Sequence, residues 1–205
     1  MADAPPSSRF PVLILAAGAS RRMGRSKAML SWGEGSLLDH AMGQGLCLGP
    51  RVWVVAGCRY PLLRYRCRRR PYRWLFNERW PEGMASSLQT GLAALPVDVP
   101  GCFVLLVDQP LIAPASLQAL AAAAEARPDQ PVAADHGGRP GVPAYLPRGL
   151  WPELMELRGD RGAAQVLRRK GAHTIRMAGC DRDLDTPAQW RRWRSLAFTG
   201  AAQDP

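Results

Sequence analysis

The sequence predicts an α/β protein with a mostly parallel central sheet and helices layered on both of its faces. Three observations carry that expectation. Phe10-Pro11-Val12-Leu13-Ile14-Leu15 is a continuous apolar run, as a strand buried on both faces requires. Ser36 reads as the N-cap of a helix reaching about Leu46, and Arg51 to Ala56 as a second apolar strand. Strand, helix and strand in that order imply a right-handed crossover and parallel pairing. Gly101 to Val107 is the most apolar run of all, which predicts a central strand.

A chain of 205 residues is long enough to bury a substantial core. One domain is expected over residues 10–198, between a polar, Pro-rich, disordered start (1–9) and a frayed tail (199–205). No apolar run approaches the length of a membrane span, and residues 1–9 lack the apolar core of a signal peptide. A cytoplasmic protein with no membrane partner is therefore expected. The net charge of +10 is carried almost wholly by Arg, since Lys27 and Lys170 are the only lysines. Where Arg fills nearly every basic position, a Lys suggests that a compact ammonium is needed. Cys47, Cys58, Cys67, Cys102 and Cys180 are odd in number, scattered and without a C-x-x-C pair, so neither a disulfide framework nor a zinc site is indicated.

The first strand runs into Ala16-Ala17-Gly18-Ala19-Ser20-Arg21-Arg22-Met23-Gly24-Arg25-Ser26-Lys27. A strand ending in a small-residue loop rich in free N–H groups and cations suits a polyphosphate. Gly18 and Gly24 allow close backbone approach, and Arg22 and Lys27 supply charge and donors. It is not a Walker A loop, because five residues separate Gly18 from Gly24 and Arg25 follows. Nor does G-x-G-x-x-G follow the strand.

Ala28 to Trp32 reads as a short extended piece. Tyr60 to Tyr72 holds the run Arg64 to Arg70, read as a helix with a solvated Arg face and with Leu62, Leu63 and Tyr65 packing inward. Interleaved tyrosines could stack bases, but no nucleic-acid reading module surrounds them, so no nucleic-acid partner is expected. Arg73 to Phe76 is a third strand. Pro81 and Gly83 make a turn, and Ser86 and Ser87 lie in the opening turns of a helix to about Leu95, where free N–H groups and hydroxyls suit a polar ligand. The central strand ends in Asp108-Gln109-Pro110, which places a carboxylate at the edge where open α/β sheets bind ligands. Ala115 to Ala126 is an Ala-rich helix. From Pro131 short strands and turns are expected, through Val132 to Ala134 and Gly137 to Pro143. A last strand, Ala172 to Met177, leads to Asp181-Arg182-Asp183-Leu184-Asp185-Thr186-Pro187 and a closing helix with Pro187 at its first position.

Several of these stretches, in order, resemble the molybdenum cofactor cytidylyltransferase family. Leu15 to Lys27 fills every fixed position of its L-A-A-G-x-S-x-R-M-G-x-x-K signature, and Gly83-Met84-Ala85-Ser86-Ser87-Leu88 and Asp183-Leu184-Asp185-Thr186-Pro187 resemble two later motifs. The resemblance implies a three-layer, Rossmann-like nucleotidyltransferase fold and CTP as the nucleotide. It places Leu15, Ala16, Ala17, Gly18, Arg22, Met23, Gly24, Lys27, Gly83, Ser86, Ser87 and Asp108 at the nucleotide, with Arg22, Lys27 and Asp108 catalytic. It implies Mg²⁺ on Asp108 and Asp185. On the second-substrate side it implies a molybdopterin-type cofactor near Arg139, Pro140, Gly159 and Asp160, with an apo-molybdoenzyme as a further partner. Two positions depart from the pattern. Val142 replaces the His of G-R-x-G-H-P, and Ala164 replaces the final Arg of G-D-x-G-A-R. A guanylyltransferase for the same cofactor, whose loop reads L-A-G-G, is the nearest alternative. A nucleotidyltransferase acting on another small phosphate, and a carrier of the cofactor that performs no transfer, also stand.

Overall fold

The computed structural model of the protein describes residues 9–199. The disordered start and frayed tail expected at the two ends lie, but for Arg9 and Thr199, outside the described residues. β1 (Val12–Ala16) is followed by the hairpin β2 (Ser31–Trp32) and β3 (Gly35–Ser36), then by α1 (Leu37–Leu46), β4 (Val52–Ala56), α2 (Tyr60–Arg66) and β5 (Arg73–Phe76). α3 (Met84–Ala94), β6 (Gly101–Leu106), α4 (Pro114–Ala126), β7 (Val132–Asp135) and β8 (Pro140–Pro147) come next. The chain closes with α5 (Trp151–Met155), α6 (Ala164–Arg169), β9 (His173–Ile175) and α7 (Pro187–Thr199).

Seven strands form one sheet in the order β5-β4-β1-β6-β8-β7-β9. β5, β4, β1 and β6 are parallel, β8 runs antiparallel to both β6 and β7, and β9 is parallel to β7. Alternate residues of each strand feed opposite faces. Val12, Ile14, Val52, Val54, Phe103 and Leu105 pack beneath α1 and α4. Leu13, Trp53 and Val104 pack beneath Leu88 and Leu92 of α3, Leu154 of α5 and Val166 of α6. The result is three layers with two cores. The chain leaves β1 towards β4 and β5 and returns on its other side to β6. That reversal opens a crevice above the C-terminal ends of β1 and β6.

The structure corrects the sequence reading in three places. Ala28 to Trp32 is not extended throughout: Lys27–Met29 is a 3₁₀ turn, closed by Met29 N–H to Ser26 O (3.2 Å) and Leu30 N–H to Lys27 O (2.9 Å). α2 buries Leu63 fully, but Leu62 and Tyr65 face solvent, the latter 88% exposed. A seven-residue helix presents a single inward row, and spacings of three and four place Tyr60, Leu63 and Cys67 on it. The segment from Pro140, expected within short strands and turns ending at Pro143, begins an eight-residue strand. Its pairing with β7 shifts register between Ala133 and Ala134, across from Val142 and Pro143, where proline has no N–H for the ladder. Among the described residues no helix is long and apolar enough to cross a membrane.

The start of α1 depends on one carboxylate. Asp39 N–H donates to Ser36 Oγ (3.1 Å), and Asp39 Oδ2 accepts from Ser36 N–H (2.9 Å) and Ser36 Oγ–H (2.6 Å), a closed capping box. Its Oδ1 accepts from Arg69 N–H (2.8 Å), which ties the α2–β5 loop to α1. Burial alone would raise the Asp39 pKa, but these bonds outweigh it and lower the pKa below its ordinary 3.8. A depressed carboxylate stabilises the fold above its unfolded pKa, and that stability is lost as pH falls through the folded value. Asp39→Ala should therefore cost about 2 kcal/mol at pH 7. Urea unfolding should show the gap between wild type and variant closing as pH falls below 3.8.

Candidate active site

β1 ends at Ala16, and the loop beyond it is shaped by Ser20. Ser20 adopts a left-handed conformation (φ 53°), its carbonyl accepts Met23 N–H (2.9 Å), and its hydroxyl accepts Lys27 N–H (3.0 Å). Two 3₁₀ turns, Arg21–Met23 and Lys27–Met29, result. The turns bury Met23 and Ala28 in the core below and direct the Lys27 side chain into the crevice.

There Lys27 meets both aspartates singled out from the sequence. Its Nζ lies 3.0 Å from Asp108 Oδ2, at the end of β6, and 2.6 Å from Asp185 Oδ1, before α7. Arg22 Nη2 is 2.8 Å from Asp185 Oδ2. Burial works against the charged form of Lys27, yet Asp108 and Asp185 together raise its pKa above the ordinary 10.5. Burial likewise opposes the Asp185 charge, and Lys27 and Arg22 overcome it, so its pKa is lowered. Asp183 lacks such cations: burial, and then the charge of Asp108, raise its pKa. The Lys27 side chain is only 15% exposed, while Arg22 is 73% exposed.

A cavity of about 450 Å³ lies over this cluster. Leu15, Ala16, Ala17, Gly18, Arg22, Lys27, Gly83, Ser87 and Asp108 all line it, and so does Asp160. Met23, Gly24 and Ser86 do not. Met23 is a core residue, Gly24 supplies a left-handed turn (φ 68°), and Ser86 donates to the carbonyls of Arg79 and Gly83 (2.8 Å each). Arg139 and Pro140 sit at the β7–β8 hairpin and do not line the cavity; of the four residues expected on the second-substrate side, Asp160 alone lines it.

The far wall is built by two segments locked together. Asn77, buried, donates from Nδ2 to Ser86 Oγ (2.9 Å) and Ser87 Oγ (3.1 Å), fixing the start of α3. Gly83 turns at φ 106°, and Ala85 N–H donates to Gly159 O (3.0 Å). A Cβ at Gly83 would fall 2.6 Å from the Gly159 oxygen and 2.7 Å from Asp160 Oδ1. Sequence reasoning gave Ser20, Asn77 and Trp80 no role at the site: Ser20 is a fixed position of the signature after β1, but its left-handed turn is visible only in the structure.

The donor set fits a hard divalent cation. Asp108 Oδ1 is buried and has no hydrogen-bond partner, and carboxylate oxygens with substrate phosphates are the usual company of Mg²⁺. Among the described residues no three His, Cys, Asp or Glu side chains form a metal cage.

The profile of the family described as MobA-like NTP transferase domain matches residues 12–175. The chain is 32% identical over 170 residues to a protein named nicotine blue oxidoreductase of Paenarthrobacter nicotinovorans (77% of this chain, 81% of that one). It is 25% identical over 183 residues to the molybdenum cofactor cytidylyltransferase of Escherichia coli K12 (88% and 93%). It is 33% identical over 145 residues to a probable molybdenum cofactor guanylyltransferase of Synechococcus elongatus (67% and 72%). A Mycobacterium tuberculosis protein crystallised in complex with manganese shares the fold, at a TM-score of 0.74 and 23% identity (89% and 96%).

The contact between Gly83 and the 157–162 loop gives a direct expectation. Gly83→Ala should cost about 1–3 kcal/mol, from the left-handed backbone and the clash with Gly159 together. Thermal unfolding should report the loss.

Proposed function

The chain belongs to the MobA-like NTP transferase domain family, and on that premise we propose that it transfers CMP from CTP to the terminal phosphate of a molybdopterin-type cofactor, releasing pyrophosphate. The observation that carries this reading is that the β1 loop, Lys27 and Asp108 line one cavity at the β1–β6 crevice, with Asp185 paired to Lys27. A nucleotidyl transfer needs the triphosphate held, its charge neutralised and the attacking phosphate aligned. The N–H groups of the loop after β1 and the Arg22 guanidinium hold the phosphates. Lys27 stabilises charge that develops at the α-phosphate and on the departing pyrophosphate. Asp108 and Asp185 would hold Mg²⁺, which supplies Lewis-acid neutralisation of the phosphate oxygens when bound. A phosphate nucleophile is already ionised at neutral pH, so no side chain is needed to take a proton from it.

The choice of base rests on the Ala16-Ala17-Gly18 turn. Ala17 is buried, and its Cβ lies 3.0 Å from where a Cβ on Gly57 would stand; Trp80 Cγ lies 2.7 Å from that same point. Ala17 therefore packs in one layer with Trp80, and both line the cavity. A methyl group here narrows the room for a purine and spares a pyrimidine. GTP stands as the second reading, favoured by the 33% identity to the probable guanylyltransferase.

A screen of pyrophosphate release with the four nucleoside triphosphates, with and without molybdenum cofactor, tests the proposal. Release from CTP that depends on the cofactor is expected; a preference for GTP would overturn the cytidylyl reading, and no release would leave a carrier. Asp108→Asn should lower kcat by at least about 10²-fold while leaving the fold intact. In Lys27→Ala the fall in kcat should exceed the rise in KM for CTP, since the ammonium acts on transition-state charge. Ala17→Gly should improve the relative use of GTP by about 1–3 kcal/mol, read from competition kinetics.

A further inference from the structure

Asp108 and Asp185 stand on different loops, yet they must keep one separation to share a cation. The loop bearing Asp185, from residue 178 to 186, is not part of the sheet. One backbone bond fastens it directly beside Asp108, from Leu184 N–H to Asp108 O (2.8 Å). A second fastening is a side chain. Gln109, next to Asp108, is 2% exposed, and its Nε2 donates to Cys180 O (3.0 Å) and to Asp183 Oδ1 (3.1 Å). Both partners are acceptors, so the amide is held in one orientation; turned over, its oxygen would face them.

The other side of Gln109 is fixed as well. α1 holds the Asp108–Ile112 loop by three bonds. Gln44 Nε2 donates to Gln109 O (3.2 Å) and Ile112 O (3.4 Å), and His40 Nε2 bonds Pro110 O (2.8 Å), where a carbonyl only accepts. Gln109 thus has a rigid base on α1 and the sheet and reaches across to the middle of the loop, whose far end is held by Leu184 N–H on Asp108 O and by Gln189 on the Asp185 and Thr186 N–H groups. Its reach ends two residues from Asp185.

We infer that Gln109 is a positioning residue that sets the separation of Asp108 and Asp185 by pinning the 180–185 loop through Cys180 O and Asp183. The inference rests on the divalent-cation reading given under the proposed function. A residue that orients metal ligands from behind typically governs metal affinity by about 10–100-fold.

The test compares CTP affinity with and without Mn²⁺, by calorimetry on the full chain, and reads the gain that the metal confers. Wild type should show the gain and Asp108→Asn should lose it. Gln109→Leu should reduce the gain by about 10–100-fold while CTP binding in EDTA stays within about threefold of wild type. Gln109→Glu keeps the size and shape but sets a carboxylate against two acceptors, and should reduce the gain similarly. Asp183→Asn preserves an acceptor oxygen for the Gln109 amide and should keep most of the gain.

A folded Gln109→Leu or Gln109→Glu variant with the full gain would overturn the inference, even with a lowered Tm, because the residue would then serve stability alone. Loss of the gain in Asp183→Asn would also overturn it, by making Asp183 a ligand in its own right. A wild type without any gain, or an Asp108→Asn variant that keeps it, would instead defeat the cation reading and the inference with it.

Discussion

The site depends on one ammonium group placed between two carboxylates. Lys27 Nζ is within 3.0 Å of Asp108 and 2.6 Å of Asp185, and all three groups leave bulk water only in part. Each of the surrounding devices serves that contact. Ser20 shapes the loop that delivers Lys27, β6 and its anchored loop deliver Asp108, and Asp185 stands two residues before the start of α7, with Gln189 accepting the Asp185 and Thr186 N–H groups at 2.9 Å. Opposite charges so close would be screened at the surface; half-buried, they hold a fixed field where a polyphosphate would lie.

Much of this was legible in the sequence, and the reasons are specific. β1, β4 and β6 are continuous apolar runs because both their faces are covered, so composition alone reveals them. The loop after β1 was legible because its Gly, Arg and Lys spacing has a chemical meaning. Asp108 could be placed because a strand end in a parallel sheet has a known destination. The antiparallel β8 was missed because its opening, Pro140-Gly141-Val142-Pro143, is turn chemistry that tertiary pairing overrides. α5 and α6 are too short for periodicity to announce them. Tyr65 was turned the wrong way because a short helix gives two rows of equal apolar content and only packing decides between them.

The second-substrate side shows where local motifs stop carrying information. Arg139 and Asp160 each stand in a recognisable pattern, yet Asp160 folds onto the start of α3 while Arg139 remains on an exposed hairpin. Val142 is not left without an imidazole nearby. His136 bonds its carbonyl (2.8 Å), and the ring packs so closely on Gly141 that a Cβ there would lie 2.8 Å from Nε2. The Val142 side chain itself packs against the core under α3, α5 and α6. Distance in sequence and distance in space diverge most at such hairpins.

The separation of the ion-pair partners along the chain has a consequence for synthesis. Lys27 and Asp185 are 158 positions apart, and the far wall of the cavity also comes from residues 159 and 160. As the polypeptide emerges from the ribosome, β1 and its cationic loop appear first, Asp108 follows 81 positions after Lys27, and Asp185 comes only when nearly the whole domain has followed. A nascent chain stalled before residue 159 carries the strands on which the nucleotide would rest, but neither the carboxylate that completes the site nor the wall that encloses it. The carboxylate paired with both Lys27 and Arg22 therefore arrives only with the last elements translated.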